Sequence, residues 1–336
     1  MFKKVACFTD IHFGLKNNSR IHNIDCEQFV EWFCETATTQ NCDTCIFLGD
    51  WHHNRATINV STMNYTVANI DKLSRSFEKV YLIMGNHDLY YREKREINSV
   101  PFAHMWDNVI IVNDFYEEDD VTILPWLVEQ EWRKMKKIKS RYIFGHFELG
   151  GFKMNAMVDM PDFGGLKPEH FVNQEYVFSG HFHKRQKRGK VHYIGNAFPH
   201  NFADVWDTER GMMVLEHGGE PKYIDWDYAP RYVTLPLSDL LTNPQQYLIP
   251  KTNAKVIMDL DINYEESVFI RETLVQEYNV RDIALVNAER EEIISTNEDI
   301  SFETVDEIVL KELTSIQSEI LDTELLVGIY NQLNTT

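Results

Sequence analysis

The chain has no apolar run long enough to span a bilayer, which argues against a membrane-crossing helix in its 336 residues. Its first residues, Met1, Phe2, Lys3, Lys4 and Val5, lack a signal-peptide cleavage pattern and lead straight into a strand-like run. A cytoplasmic protein is therefore expected. Cysteine is scarce and odd in number: Cys7, Cys26, Cys34, Cys42 and Cys45, all in the first sixth of the chain. That pattern argues against a disulfide framework. Cys42 and Cys45 form a CxxC, but no second pair and no His pair follows at zinc-finger spacing, so small apolar residues near a strand start are expected. Internal repeats and low-complexity tracts are absent. Basic charge is also in short supply. With 33 Lys and Arg against 52 Asp and Glu, the formal net charge is −19, which taken alone argues against nucleic-acid contact.

The charge is unevenly spread. Residues 288–336 hold twelve acids against two bases, about half of the net charge. Upstream lie two basic clusters. One is Arg133, Lys134, Lys136, Lys137, Lys139 and Arg141, which reads equally well as a solvated face. The other, Lys184, Arg185, Lys187, Arg188 and Lys190, directly follows a Gly-His-Phe-His motif and is expected to contact phosphates.

Through the first two-thirds, strand-like and helix-like stretches alternate. Residues 26–39 place Phe29, Phe33 and Ala37 at helical spacing, and residues 62–77 place Met63, Val67, Ile70 and Leu73 on one face. With strands at 5–8, 44–48 and 80–84, this is a βαβαβ pattern, which implies a largely parallel sheet flanked by helices. From residue 109 onward strands dominate, at 109–112, 121–124, 142–145, 175–179, 191–195 and 212–216, with one helix near 129–138. Two facing sheets with outer helices would accommodate them. Residues 147–172, rich in glycine, form a long loop that reads either as a substrate-facing lid or as a surface excursion. Residues 255–288 read as strand, helix, strand, a small second domain. A polar, acidic linker is expected at 289–301 and a helical tail at 302–336. There Val309, Leu313, Ile316 and Ile320 form a narrow apolar seam suited to a partner helix.

Five motifs end apolar runs: Asp10-Ile11-His12, Gly49-Asp50, Gly85-Asn86-His87-Asp88, Gly145-His146 and Gly180-His181-Phe182-His183. An apolar run that stops abruptly in polar residues reads as a buried strand delivering side chains at its end. In open α/β sheets, sites form beyond the carboxyl ends of the strands. The delivered set is two Asp, one Asn and four His: Asp10, His12, Asp50, Asn86, His146, His181 and His183. Asp10 and His12, like His181 and His183, lie two apart and would face the same way from an extended backbone. A carboxylate can bridge two cations, so the set divides into two metal sites sharing Asp50. Paired cations about 3.5–4 Å apart are a recurring device for displacement at phosphorus. Mixed nitrogen and oxygen ligands suit Mn²⁺, Fe²⁺ or Zn²⁺ better than Ca²⁺. His87 should point away from the cation that Asn86 holds and is a candidate proton donor to a leaving alkoxide, with Asp88 placed to orient its ring.

This ordered series resembles the calcineurin-like metallophosphoesterase superfamily. Within it, the chain is similar to the SbcD-type nucleases, small subunits of double-strand-break repair complexes, and to the recombination endonuclease subunits of T-even-like phages. Gly49-Asp50-Trp51-His52-His53, Gly145-His146-Phe147-Glu148 and Val191-His192-Tyr193-Ile194-Gly195 add to the likeness, which runs to about residue 215. The resemblance implies a four-layer α/β fold, two facing mixed β-sheets flanked by helices, over residues 1–220. A small α+β cap domain would follow at 221–288, then the linker and the helical tail. It implies one cation held by Asp10, His12, Asp50 and His183 and another by Asp50, Asn86, His146 and His181, most naturally Mn²⁺. His87 would be catalytic, assisted by His53 or its neighbour His52. The implied activity is cleavage of DNA in recombination and break processing, 3′-to-5′ on duplex ends and endonucleolytic on single strands. The implied partner is an SMC-like ABC ATPase of SbcC type, gripped through the Val309–Leu313–Ile316–Ile320 seam, with a nuclease homodimer inside a heterotetramer. If the chain is phage-encoded, host cytoplasm is the implied compartment. Protein phosphatases carry GDxVDRG and GNHE, from which Gly49-Asp50-Trp51-His52-His53-Asn54-Arg55 and Gly85-Asn86-His87-Asp88 depart. A small-substrate nucleotide phosphodiesterase with the same dimetal core is the alternative. A non-catalytic scaffold is disfavoured, because every ligand position is filled.

Overall fold

Strand β1 (Lys4–Phe8) shows how one short apolar run serves two layers. Side chains alternate along a strand. Val5 and Cys7 enter one buried cluster with Ile46, Tyr81, Phe144 and Phe178, while Ala6 and Phe8 enter another with Phe29, Phe33 and Phe47. The structure is a computed structural model and describes residues 1–287 other than 156, 157 and 163. Among those residues the main strands form two six-stranded sheets. In the first, β1, β2 (Thr44–Phe47), β3 (Lys79–Ile83) and β6 (Val109–Val112) run parallel. β13 (Gly211–Glu216) and β14 (Lys222–Asp225) extend the sheet antiparallel beyond β1. In the second, β12 (Val191–Tyr193), β10 (Tyr176–Gly180), β9 (Tyr142–His146) and β8 (Val121–Leu124) run parallel. Its antiparallel edges are β11 (Gln186–Arg188) and β7 (Tyr116–Glu118). A hairpin of β4 (Leu89–Tyr91) and β5 (Lys94–Asn98) follows the third motif.

Parallel strands buried on both faces need covers on both sides. The helices Arg20–Thr39 and Val60–Ser76 cover the outer face of the first sheet. Residues 147–171 cover the second: Phe147, Leu149, Phe152, Leu166 and Phe171 pack on Ile143, Val177 and Tyr193. The long loop is thus part of the fourth layer, with its own core. The helix expected near 129–138 is the 3₁₀ turn Glu131–Lys137.

The helix Val60–Ser76 buries a different face from the one its apolar pattern indicates. Thr62, Thr66, Asn69, Ile70 and Leu73 are buried, whereas Val67 is exposed. The reason is hydrogen bonding. Thr66 Oγ1 lies 3.3 Å from Trp51 Nε1 and 2.8 Å from His52 Nε2, and Thr62 Oγ1 lies 3.1 Å from Asn23 Nδ2. Two threonines are drawn inward to bond to neighbouring segments, while Asn69 Nδ2 donates to Tyr65 O of its own helix at 2.8 Å.

All five cysteines are free and buried around the first sheet. Residues 231–287 build a third sheet, β15 (Arg231–Pro236), β16 (Thr252–Met258) and β17 (Asp282–Asn287). The helix Tyr264–Tyr278 starts at a capping box of Asn263 and Glu266 and packs Leu274 against Val256 and Ile283. Asp25, buried in the helix Arg20–Thr39, accepts two hydrogen bonds from Arg281 at 2.5 and 2.6 Å and lies 3.3 Å from Lys251. No described helix is long and apolar enough to cross a membrane. The linker at 289–301 and the seam of Val309, Leu313, Ile316 and Ile320 lie outside the described residues.

Candidate metal centre

The loops after β1 and β2 run side by side and are joined through their backbones. Asp10 N donates to Gly49 O at 2.9 Å, His12 N to Asp50 O at 3.2 Å, and Phe13 N to Trp51 O at 2.8 Å. Sequence spacing alone suggests an extended backbone through Asp10 and His12. The structure instead places both in the left-handed region, at φ 50° and 52°, with Asp50 at 64° and His181 at 91°. Non-glycine residues seldom adopt this region, and such strain gathers where side chains must converge. Here it turns each side chain off its strand end and inward.

Glycine supplies the close approach between loops. A Cβ on Gly180 would fall 2.1 Å from Thr9 Oγ1 and 2.6 Å from Leu48 O. One on Gly85 would fall 2.2 Å from Asp50 Oδ1. The Gly in these motifs therefore reflects backbone packed against the ligand side chains themselves.

The seven residues meet in one buried region. Asp10, His12 and Asp50 present ligand atoms within 4.8 Å of one another, as do Asp50, His146 and His181. Asn86 Oδ1 sits 3.1 Å from His146 Nε2 and 3.0 Å from His181 Nδ1. His12 Nε2 lies 3.8 Å from Asp10 Oδ1 and 3.7 Å from Asp50 Oδ2. His183 completes the ring of donors, its imidazole centroid 5.5 Å from that of His12. Neighbours fix the orientation. His146 Nδ1 donates to Leu48 O at 2.7 Å, which turns Nε2 toward Asp50, 3.4 Å away. Glu148 Oε2 lies 3.3 Å from His181 Nε2, leaving Nδ1 toward Asn86. Thr9 Oγ1 donates to Asp10 Oδ2 at 2.6 Å. Such outer partners set the tautomer and aim of ligands. Neither Thr9 nor Glu148 belongs to the expected ligand set, although Glu148 stands in one of the motifs that carry the resemblance.

The electrostatics call for cations. Burial lowers the His12 imidazole well below its usual range, and burial likewise lowers His181, so both are neutral donors. Burial alone would lower His146 too, but the Asp50 carboxylate beside it raises it to about 9. Burial opposes ionisation of Asp50, yet the His146 imidazole beside it, above all, holds its acid well below normal. Both ring nitrogens of His12 are buried without a hydrogen-bond partner. Ligands bound at about 2.0–2.2 Å to one ion lie some 3–4 Å apart. The His12 to Asp10 and His12 to Asp50 separations match that spacing, so the donor set fits divalent cations.

Beside this region His53 and His87 stack, 5.4 Å apart at 17°, and their rings lie 5.5 and 5.0 Å from that of His12. His87 Nδ1 donates to His53 O at 2.7 Å. His52, the other candidate, is buried away from the site, with Nδ1 2.8 Å from Ser99 Oγ and Nε2 beside Thr66. The expected orienting of His87 by Asp88 does not occur. The Asp88 carboxylate turns inward and accepts from the amides of Asp50, Trp51, His52 and Gly85 at 2.8 to 3.2 Å. Four amides from two loops outcompete one neighbouring ring, so Asp88 shapes the backbone that carries Asp50.

The basic stretch after His183 is partly committed. Lys184 pairs with Asp207 at 3.2 Å and Arg185 with Asp225 at 2.6 Å. Both charges therefore have carboxylate partners within the fold. Lys187 and Arg188 are exposed, the latter's guanidinium lying over Phe152.

A family model described as calcineurin-like phosphoesterase matches residues 3–185. Exonuclease subunit 1 of Enterobacteria phage T4 is 25% identical over 225 residues, 63% of this chain and 64% of that protein. The match thus spans a little under two thirds of that relative's length. Putative phosphoesterase 244L of Invertebrate iridescent virus 6 is 26% identical over 231 residues, 63% of this chain and 75% of that protein. Among solved structures, Pseudomonas putida nuclease MPE aligns with 17% identity and a TM-score of 0.30, over 56% of this chain and 66% of that one. A dimetal phosphatase from Danio rerio aligns with 9% identity and a TM-score of 0.41, over 63% of this chain and 91% of that one. All five motifs begin within a family match that takes in more than half of the residues, and their side chains meet at the strand ends; the chain belongs to the calcineurin-like phosphoesterases.

Proposed function

We propose that this chain is a two-metal nuclease. It would cleave DNA 3′-to-5′ from duplex ends and internally on single strands, as the small subunit of a recombination and break-processing complex in the cytoplasm. The observation that carries this reading is the convergence of Asp10, His12, Asp50, Asn86, His146 and His181, with the stacked His53–His87 pair beside His12. Asp10, His12, Asp50 and His183 would hold one cation, and Asp50, Asn86, His146 and His181 the other, with Mn²⁺ the favoured ion. When bound, the pair supplies positive charge for the phosphoryl oxygens and Lewis acidity toward water. His87 serves as the proton donor. Its Nδ1 is held by the His53 carbonyl. That leaves Nε2 to give a proton to the leaving oxygen as the phosphorus–oxygen bond breaks. His53, stacked on it, assists. Asp88 acts at one remove, by holding the Asp50 loop.

DNA is the proposed substrate because the T4 relative is an exonuclease subunit. Lys187 and Arg188 are the exposed cations of the basic stretch after His183, too few for strong affinity at a net charge of −19. Much of the non-specific grip on DNA would then come from a partner, proposed as an SMC-like ABC ATPase of SbcC type. It would bind through the seam of Val309, Leu313, Ile316 and Ile320, with two nuclease chains per assembly.

The test uses purified full chain with Mn²⁺, incubated with linear duplex and single-stranded DNA. Both should be degraded, and chelation should stop the reaction. Hydrolysis confined to small phosphodiesters, with no DNA cleavage even when an SbcC-type ATPase is added, would overturn the nuclease assignment in favour of a nucleotide phosphodiesterase.

A further inference from the structure

One imidazole at the centre belongs to none of the five motifs. His200 is 1% exposed, and neither of its ring nitrogens has a hydrogen-bond partner. A buried donor or acceptor left unmet is destabilising, so an imidazole lacking both partners is a poor way to fill space. Its surroundings are aromatic and nitrogenous. The rings of His12, His183, His22 and Phe198 lie 5.1 to 5.4 Å away, centroid to centroid. His22 is already engaged through Nε2, which donates to His12 O at 2.9 Å. The ligand atoms of His12, His183 and His200 all lie within 4.8 Å of one another.

The backbone at His200 is anchored. His200 N donates to Asp204 Oδ2 at 2.9 Å, and the buried Arg210 lies 3.7 Å from Asp204 Oδ1 and 2.8 Å from Asp207 Oδ1. A side chain held this firmly, turned toward two ligand histidines and offered nothing to bond, has the character of a ligand.

We propose that His200 is a further ligand of the cation held by Asp10, His12, Asp50 and His183. The inference rests on the two-metal reading. It makes the two sites unequal: three imidazoles and two carboxylates on one side, two imidazoles, one amide and the shared carboxylate on the other. Added imidazole shifts preference along the divalent series from Mn²⁺ toward Fe²⁺, Co²⁺ and Zn²⁺. The His200 side is therefore the one that prefers a later metal than Mn²⁺.

The experiment titrates metal-free full chain with Co²⁺ and, separately, Mn²⁺. It follows heat for stoichiometry and affinity, and visible absorption for the Co²⁺ ligand field. His200→Ala and His200→Phe are compared with the parent; the phenylalanine fills the space without a donor, and circular dichroism checks that each variant is folded. The parent should take up two ions. Both variants should weaken one of the two for Co²⁺ by at least about tenfold, with a changed Co²⁺ spectrum and a smaller loss for Mn²⁺. Folded variants that titrate and absorb like the parent would overturn the assignment of His200 and leave the two-metal reading intact. A parent that binds no ion at micromolar concentration would remove both.

Discussion

Asp88 illustrates how a residue can govern chemistry it never touches. Its carboxylate gathers four amides from the loops that carry Asp50 and Asn86. In Asp88→Asn, an NH₂ would face some of those donors. Burial and then the Asp50 carboxylate raise the Asp88 acid to about 7, so above that pH, where it is ionised, we expect a loss of about 2–4 kcal/mol of stability, since bonds to a charged acceptor contribute roughly 1.5–3 kcal/mol each and not all would be lost. Urea unfolding with and without added metal would measure it. His87→Ala should behave differently. It should keep both ions, as judged by elemental analysis of the purified protein, while turnover on DNA falls by about 10²–10⁴. Motif order made most of these residues legible beforehand, because each follows an apolar run. His200 was not legible: it ends no such run, and nothing beside it repeats a metal-ligand spacing. Asp88 was legible as important but assigned to the wrong neighbour, since sequence adjacency says nothing of which way a carboxylate turns.

At the level of elements, the helix Val60–Ser76 and the tight strand ends depend on contacts that hydropathy cannot show. Thr66 is buried because Trp51 and His52 need it. Thr66→Val keeps the shape and removes the acceptor, so about 1–3 kcal/mol should be lost on unfolding by denaturant. A rise in stability would mean that these bonds contribute nothing net. Gly180→Ala probes the approach of β10 to Thr9 and Leu48. With contacts of 2.1 and 2.6 Å to absorb, some separation of the strand ends must follow. We expect at least about 1–3 kcal/mol of destabilisation and weaker metal uptake, both read from thermal melts at graded Mn²⁺. The central strands of both sheets were readable from apolar runs, and the parallel order of β1, β2 and β3 from the βαβ alternation; the short or polar strands β4, β5, β7, β11 and β14 were not. The rotated helix face and the left-handed turns at Asp10, His12 and Asp50 were not. Both arise from hydrogen bonds between segments distant in sequence.

For the molecule as a whole, two linkages set stability. The first is the ion cluster of Asp25 with Arg281 and Lys251, which ties the third sheet to the helix Arg20–Thr39. Asp25→Ala would leave two cations without their buried counter-charge, and about 3–5 kcal/mol should be lost in chemical denaturation. The second is metal. Each site filled at a hundred times its dissociation constant should add about 2.7 kcal/mol, so chelation should lower the melting temperature in proportion. The buried thiols offer a way to watch that coupling. Burial pushes Cys7, Cys26 and Cys45 well above the usual thiol range, and every cysteine lies in the half of the fold that carries Asp10 and Asp50. An alkylating reagent can reach Cys7, Cys26 and Cys45, all 0% exposed, only when that half of the fold breathes. Labelling rates thus become an internal clock for opening of the ion-bearing half, one that saturating divalent cation should slow without any probe being introduced.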